Sequence, residues 1–313
     1  MNLVLATKKK ILRLYGEVGN GKYAFILSYF HNRHHFPNLK NPKDLSEIWI
    51  KRVLDGKVNS LSYLADKYAV RKYVIEKGLG DLLTPLIAVY ESADEIDFDA
   101  LPNRFALKAN FGAGRNIICT DKSKLDKEQC REKVRAWLKP GQYSVSERHY
   151  NLIPKKFVCE EFIDDGTGGF PVDYKFMCIH GKVHCILGVS GREQGHGSYL
   201  PYTTDWQPIR EYYRGNSTAT ELLPRPANLD EMISTAETLA GDIDLVRVDL
   251  YSNGSKIWFG EMTLTPSGCI FHNLPHNYAI IRNKGRIESQ IRLWRIIEKL
   301  NGRSAIWIAL IEC

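Results

Sequence analysis

Apolar positions along the chain fall into alternating stretches of helical and extended period. Asp44 stands before Leu45, Ile48, Trp49, Val53 and Leu54, a helical stripe closed by Gly56, so Asp44 is the expected N-cap. A second helix is expected from about Asp66 to Lys77, stopped by Gly78 and Gly80, and a third near 126–138, ended by Pro140-Gly141. Extended runs predict strands at Phe105–Lys108, Lys156–Phe162 and Tyr174–His180, the last turning at Gly181-Lys182 into Val183–Val189. Asn228 with Glu231 has the form of a capping box for a helix reaching Leu239. Ile287, Ile291, Ile296 and Ile297 mark a last amphipathic helix over about 285–299. No internal repeat or low-complexity tract breaks the pattern. Strands and helices alternate without a clean βαβ rhythm, which gives an α+β class, or α/β with antiparallel sheets.

Composition narrows the class. The chain has 313 residues, 44% hydrophobic and 25% charged, enough for two or three lobes with buried cores, and it is neither disordered nor fibrous. The opening Met1–Lys10 puts its apolar residues before the basic cluster, the reverse of a secretory signal. Ala305–Ile311 is far shorter than the roughly 20 residues of a spanning helix. Neither an export signal nor a transmembrane segment is therefore expected. Seven cysteines, at 119, 130, 159, 178, 185, 269 and 313, form no C-x-x-C pair and mostly sit in apolar runs. They read as reduced, buried hydrophobes of a cytoplasmic protein, with no spacing to support a zinc site or catalytic thiol.

The net charge of +7 is spread without a block long enough for a nucleic-acid footprint. A phosphorylated substrate or peripheral contact with an anionic membrane would suit it, and a solubility surplus is the plainer account. The His31-Asn32-Arg33-His34-His35 segment lacks an acidic or cysteine partner nearby, so it is expected to be solvated or substrate-facing rather than metal-binding.

Three segments carry candidate chemistry. Ala106–Ile118 is a glycine-bearing loop between β-forming runs, with Lys108 at its foot and Gly112 and Gly114 at its tip. It is not a P-loop or a dinucleotide fingerprint, and it offers backbone N–H groups that can approach phosphates. In Val246–Thr263, period-two alternation puts Arg247 and Asp249 on one face and Val246, Val248 and Leu250 in the core. Asp249 and Glu261 on adjacent strands would supply the hard oxygens that magnesium takes. A simple two-residue turn at Asn253-Gly254 would set Asp249 opposite Trp258 and point Glu261 away. A three-residue loop or a bulge at Gly260 is therefore expected. Third, Phe157–Ile163 is an apolar strand ending in Glu160-Glu161, with Asp173-Tyr174-Lys175-Phe176 downstream. Such a strand can present polar groups to an adenine edge and a ribose. Each segment alone also reads as an ordinary hairpin or charged strand end.

Their joint order resembles the ATP-grasp superfamily: Asp66-Lys67, Lys108 with its loop, Glu160-Glu161-Phe162-Ile163, Arg247-x-Asp249, Glu261-x-Thr263. Asn38–Pro42, Asp66–Arg71, Leu101–Lys108, Asp173–Phe176 and Gly260–Thr263 are similar to the TupA-like ATP-grasp group, associated with bacterial polysaccharide and teichuronopeptide biosynthesis. The resemblance covers about residues 36–285. It implies an α+β ATP-grasp fold, with two α/β lobes of antiparallel sheet clasping ATP and a short N-terminal helical region. The corresponding divisions are 1–65, 66–163 and 164–313.

The resemblance also implies roles. Lys67 and Lys108 would hold the α- and β-phosphates under Gly112 and Gly114. Glu160, Glu161 and the Ile163 backbone would lie at the adenine, and Asp173 at the ribose. Asp249 and Glu261 would bind Mg2+, Arg247 would face the transferred phosphoryl group, and Lys175 is a further expected catalytic residue. Thr263 departs from the asparagine most such enzymes carry, which puts a second metal ion in doubt; its hydroxyl can ligate magnesium, so the departure is compatible with catalysis.

The implied activity is ATP-dependent carboxylate–amine ligation through an acyl phosphate. The implied partners are a uronic acid-containing saccharide, whether nucleotide-sugar, lipid-linked or polymer, and an amine or amino acid. An acyl phosphate needs shielding from water, and Ser190–Ser198, with Arg192, is the expected cover. The alternatives are a kinase on the same scaffold, which would leave a stable phosphoester, and a non-catalytic nucleotide- or glycan-binding module. A glycosyltransferase is more distant, there being no D-x-D motif.

Overall fold

The computed structural model describes residues 21–139, 145–164, 166, 171–190, 198–209 and 222–270. The chain divides into two compact units, one of residues 1–55 with 269–313 and the other of residues 56–268.

In the first unit, helix α1 spans Lys22–Arg33 and helix α2 spans Leu45–Leu54. Asp44 caps α2 as expected. Its carboxylate accepts from Glu47 N (2.8 Å) while the Glu47 carboxylate accepts from Asp44 N (3.3 Å), a reciprocal box that satisfies two orphan N–H groups. Tyr29, fully buried on α1, donates its hydroxyl to Asp44 (2.7 Å), so the cap also ties the two helices together. His31, His34 and His35 are exposed. The predicted helix at 285–299 lies outside the described residues.

The second unit holds two antiparallel sheets. Ahead of them come the single turn α3 (Ser62–Ala65) and helix α4 (Val70–Glu76). The expected helix start at Asp66 is not where regular helix begins. The Asp66 carboxylate accepts from Tyr68 N (2.8 Å) and Ala69 N (3.1 Å), making a capped turn that delays α4 by one turn. Strands β1 (Leu86–Tyr90), β2 (Phe105–Ala109), β3 (Asn116–Cys119) and β4 (Phe157–Glu161) pair in the order β1-β4-β2-β3, and helix α5 (Lys127–Trp137) lies between β3 and β4 in sequence.

Strands β5 (Val172–Ile179), β6 (Lys182–Ser190), β7 (Ser198–Tyr202), β8 (Leu245–Ser252) and β9 (Ile257–Thr263) pair as β7-β6-β5-β8-β9, with helix α6 (Leu229–Ala240) packed against β5, β6 and β8. The β5–β6 turn is His180-Gly181, one residue earlier than expected; both have positive φ (48° and 73°), as a two-residue hairpin of this hand requires. The capping box expected at Asn228 is absent: its carboxamide oxygen accepts from Ser252 Oγ (2.9 Å) on β8, and no side-chain cap bond forms.

Phe105, Leu107, Phe157, Val158, Phe176, Ile186, Val246, Val248 and Leu250 are buried at the centres of the two sheets. The six described cysteines are buried, and burial pushes the Cys159 and Cys185 thiols up to about 12, where they are inert. Among the described residues, no helix is long and apolar enough to cross a membrane.

Candidate nucleotide and metal site

The geometry of the β8–β9 hairpin decides whether its two carboxylates can meet. Ser252 pairs with Ile257, leaving a four-residue loop, Asn253–Lys256. That register alone would set Gly260 opposite Asp249 and turn Glu261 to the far face. Instead the ladder steps from Leu250↔Phe259 to Asp249↔Glu261, so Gly260 is the extra residue of a β-bulge and the two carboxylates face each other. Glycine is required there by close approach: a Cβ at 260 would stand 2.9 Å from the Asp249 carbonyl oxygen. Of the two expected solutions, the bulge is the one the hairpin uses.

Arg247 shares the face with Asp249, two residues along β8. Its Nε and Nη2 both reach the Asp249 carboxylate (2.6 Å each), and Nη2 also donates to Thr263 Oγ1 (2.9 Å) and approaches Glu261 (3.2 Å). Antiparallel pairing with β5 sets Lys175 opposite Asp249, where its ammonium lies 2.5 Å from Asp249 and 2.7 Å from Asp173. Asp173, Lys175 and Asp249 are all buried, at 1%, 7% and 2% exposure. Burial acts to lower the Arg247 guanidinium, and the charges of Asp249, Glu261 and Asp173 outweigh it and hold the group well above its usual range. Burial likewise acts to raise the Glu261 carboxyl, and Lys67, Arg247 and Lys175 outweigh it and bring it down to about 2.

The opposing cations come from β2, from α4 and from the turn that precedes α4. Lys67 donates to the Gly112 carbonyl (2.9 Å) and stands 3.5 Å from Glu261. Its position is set by Asn110, fully buried, which donates to Asp66 (2.9 Å) and to the Pro154 carbonyl (2.9 Å) and accepts from Lys156 N (2.8 Å); Lys67 N in turn donates to Asn110 O (2.9 Å). The β2–β3 loop carries Gly112 and Gly114 at φ 75° and 69°, the left-handed turn that glycine permits. Lys108, on β2, pairs with Glu160 on β4 (2.7 Å), and Arg71, on α4, pairs with the other oxygen of Glu160 (2.7 Å) while donating to the Thr84 carbonyl (3.0 Å). Lys67, Arg71, Lys108, Val158, Glu160 and Phe259 line one cleft between the two sheets.

The structure thus gathers Lys67, Gly112, Asp173, Lys175, Arg247, Asp249, Glu261 and Thr263 in one charged cluster, with Lys108 and Glu160 beside the same cleft. Glu161 is exposed, because neighbours on a strand point to opposite faces. Ile163 is half-buried just past β4, and nothing lies within 4 Å of where a Gly114 Cβ would stand. Arg192 and the rest of 191–197 lie outside the described residues. The sequence alone assigned no role to Arg71 or Asn110; Arg71 falls four residues after Lys67 in the stretch expected to be helical from Asp66, which is the signal that could have marked it.

Among the described residues no three His, Cys, Asp or Glu side chains group to cage a metal. Two carboxylates and a hydroxyl fit an ion such as Mg2+, which keeps waters and takes its remaining ligands from phosphates. The cations that now meet those carboxylates show that the acceptors point inward on a positive charge.

The TupA-like ATPgrasp family profile matches residues 47–281. Among solved structures the chain is similar to a D-alanine–D-alanine ligase from Bacillus anthracis complexed with ATP (18% identity, TM-score 0.40, 68% of this chain and 61% of that one). It is similar also to the ATP-grasp ligase PsnB complexed with a phosphomimetic variant of its minimal precursor, Mg and ADP (13%, 0.35, 69% and 58%), and to the D-cycloserine synthetase DcsG (12%, 0.35, 65% and 63%). The chain spans about three fifths of the length of these proteins, and none of them bears on its substrate. No match is found among curated proteins. With three quarters of its length matched by the family profile, this chain belongs to the TupA-like ATP-grasp family.

Proposed function

We propose that this protein is an ATP-dependent carboxylate–amine ligase holding ATP in the cleft between its two sheets, within lobes 66–163 and 164–313. The observation that carries the reading is the bulge at Gly260, which turns Glu261 to face Asp249 with Arg247, Lys175 and Lys67 around them. A metal-assisted phosphoryl transfer needs little else, since positioning and charge neutralisation supply most of the catalysis. Held by Asp249 and Glu261 with Thr263 beside them, Mg2+ would neutralise charge on the β- and γ-phosphates.

In this reading Lys67 and Lys108 grip the α- and β-phosphates beneath the Gly112–Gly114 loop, and Glu160 with the Ile163 backbone reads adenine. Lys175 turns from Asp173 to the phosphates, and Asp173 lies at the ribose. A substrate carboxylate oxygen attacks the γ-phosphorus, the bond to the bridging oxygen breaks, and ADP leaves. Arg247 faces the transferred group as its negative charge moves from ATP to the acyl phosphate. The amine nitrogen then adds to the acyl carbon, loses a proton, and expels inorganic phosphate to leave an amide. The family resemblance alone supports a uronic acid-containing saccharide as the carboxylate and an amino acid or small amine as its partner.

The test is an ADP-release assay over a panel of uronic acids and amines, with and without Mg2+. Ligation requires Mg2+-dependent ADP release with inorganic phosphate appearing only when an amine is present. A stable phosphoester in the product would make the protein a kinase. No turnover with any pair, together with retained biological activity of Glu261→Ala, would leave a binding module.

A further inference from the structure

Arg71 is the cation of the cleft that the proposed chemistry leaves unused. Its side chain is only 16% exposed, and its guanidinium is held at two points on different elements: Glu160 on β4 through Nη1, and the Thr84 carbonyl ahead of β1 through Nη2. Glu160 is itself 8% exposed and has its two oxygens engaged separately, one by Arg71 and the other by Lys108. The two cations are not equivalent. Lys108 sits on a flexible four-carbon stem with a single bond to Glu160, and it is free to leave for a phosphate. Arg71 uses a planar fork whose second arm is fixed to backbone.

We propose that Arg71 is a positioning residue that makes the cleft selective for adenine over guanine. This rests on the reading of the cleft as the ATP site. When Lys108 turns to the phosphates, Glu160 keeps Oε1 on Arg71 and presents Oε2, now without a partner, toward the base. A carboxylate fixed in that way accepts from the 6-amino group of adenine. The 6-oxo group of guanine would bring an acceptor against an acceptor, and a buried site built for one hydrogen-bond pattern rejects the other strongly. Without Arg71, Glu160 is free to rotate away from the base, which costs the contact to the 6-amino group and leaves the phosphate contacts common to both nucleotides.

The experiment uses the full chain, with ATP and GTP competing against a fluorescent ADP analogue in Mg2+. Arg71→Met should weaken ATP roughly tenfold or more and leave GTP nearly unchanged, so the ATP-to-GTP ratio falls. Arg71→Lys should restore only part of the ratio, because one ammonium cannot span Glu160 and the Thr84 carbonyl. In Glu160→Ala, adding Arg71→Met should change the ratio no further, since the two residues act as one unit. Equal weakening of ATP and GTP in Arg71→Met would reduce Arg71 to a structural ion pair and overturn the proposal. So would a wild-type protein that binds both nucleotides equally. If Arg71→Met does not fold, an unchanged ratio in Arg71→Lys overturns it. A wild type that binds neither nucleotide defeats the ATP-site reading itself, and this inference with it.

Discussion

Replacing Gly260 by alanine tests the feature on which the metal site depends. The added Cβ would stand 2.9 Å from the Asp249 carbonyl oxygen, 3.1 Å from the Tyr251 ring and 3.4 Å from the Asp249 carbonyl carbon. Two of those three atoms are backbone of β8, which is bound on both sides by β5 and β9, so they cannot move aside alone. Overpacking of this kind costs about 1–3 kcal/mol, measurable as a lowered urea midpoint. The larger effect should be on function. If β9 yields by about 1 Å, Glu261 leaves its place opposite Asp249, and a displacement of that size costs on the order of 100-fold in a positioned site.

Deletion of Gly260 separates the two effects. It removes the bulge yet leaves Glu261 opposite Asp249, so Mg2+-dependent ATP binding should survive better than in Gly260→Ala. Insertion of one further glycine at the same point would shift Glu261 out of register with Asp249 and abolish that binding. Titration calorimetry with ATP and Mg2+ reads all three variants. Wild-type stability and Mg2+-dependent affinity in Gly260→Ala, or retained affinity in the insertion, would refute the reasoning.

Other outcomes follow from the same geometry. Lys175→Met leaves Asp173 and Asp249 buried without the ammonium they share, and should cost about 3–5 kcal/mol by urea denaturation; a loss below about 1 kcal/mol would mean that the pair is solvated. Glu261 has its carboxyl lowered from 4.5 to about 2, so its ionised form stabilises the fold above about pH 4.5 and that contribution is lost as pH falls toward 2. The stability gap between wild type and Glu261→Gln should therefore be flat above pH 5 and close on acidification, and a gap that widens would contradict the assigned neighbours. Asn110→Ala strands the buried partners of its carboxamide and should cost about 1–3 kcal/mol while weakening ATP through Lys67; unchanged ATP affinity would show that Lys67 is placed by something else.

What the sequence by itself determined is local. Asp44 and Glu47 lie within one helical turn, so their reciprocal cap needs no knowledge of the rest of the fold, and the alternation of Arg247, Asp249 and the buried valines follows from the two-residue period of a strand. Distant partners decided the remainder. Asn228 and Glu231 have the same spacing as Asp44 and Glu47, yet Ser252, 24 residues away, holds the Asn228 carboxamide and no box forms. The sequence posed the register of Asp249 and Glu261 as a choice, and the closure of a four-residue loop made the bulge at Gly260 the solution. Glu160 and Glu161 are indistinguishable as neighbours in sequence. Only the packing of α4 and β2 against β4, which brings Arg71 from 89 residues away and Lys108 from 52, makes one of them part of the cleft and leaves the other in water. The physical reason is range: caps and strand faces are set by torsions within a few residues, whereas the environment of a charge is set by whatever the folded chain brings against it.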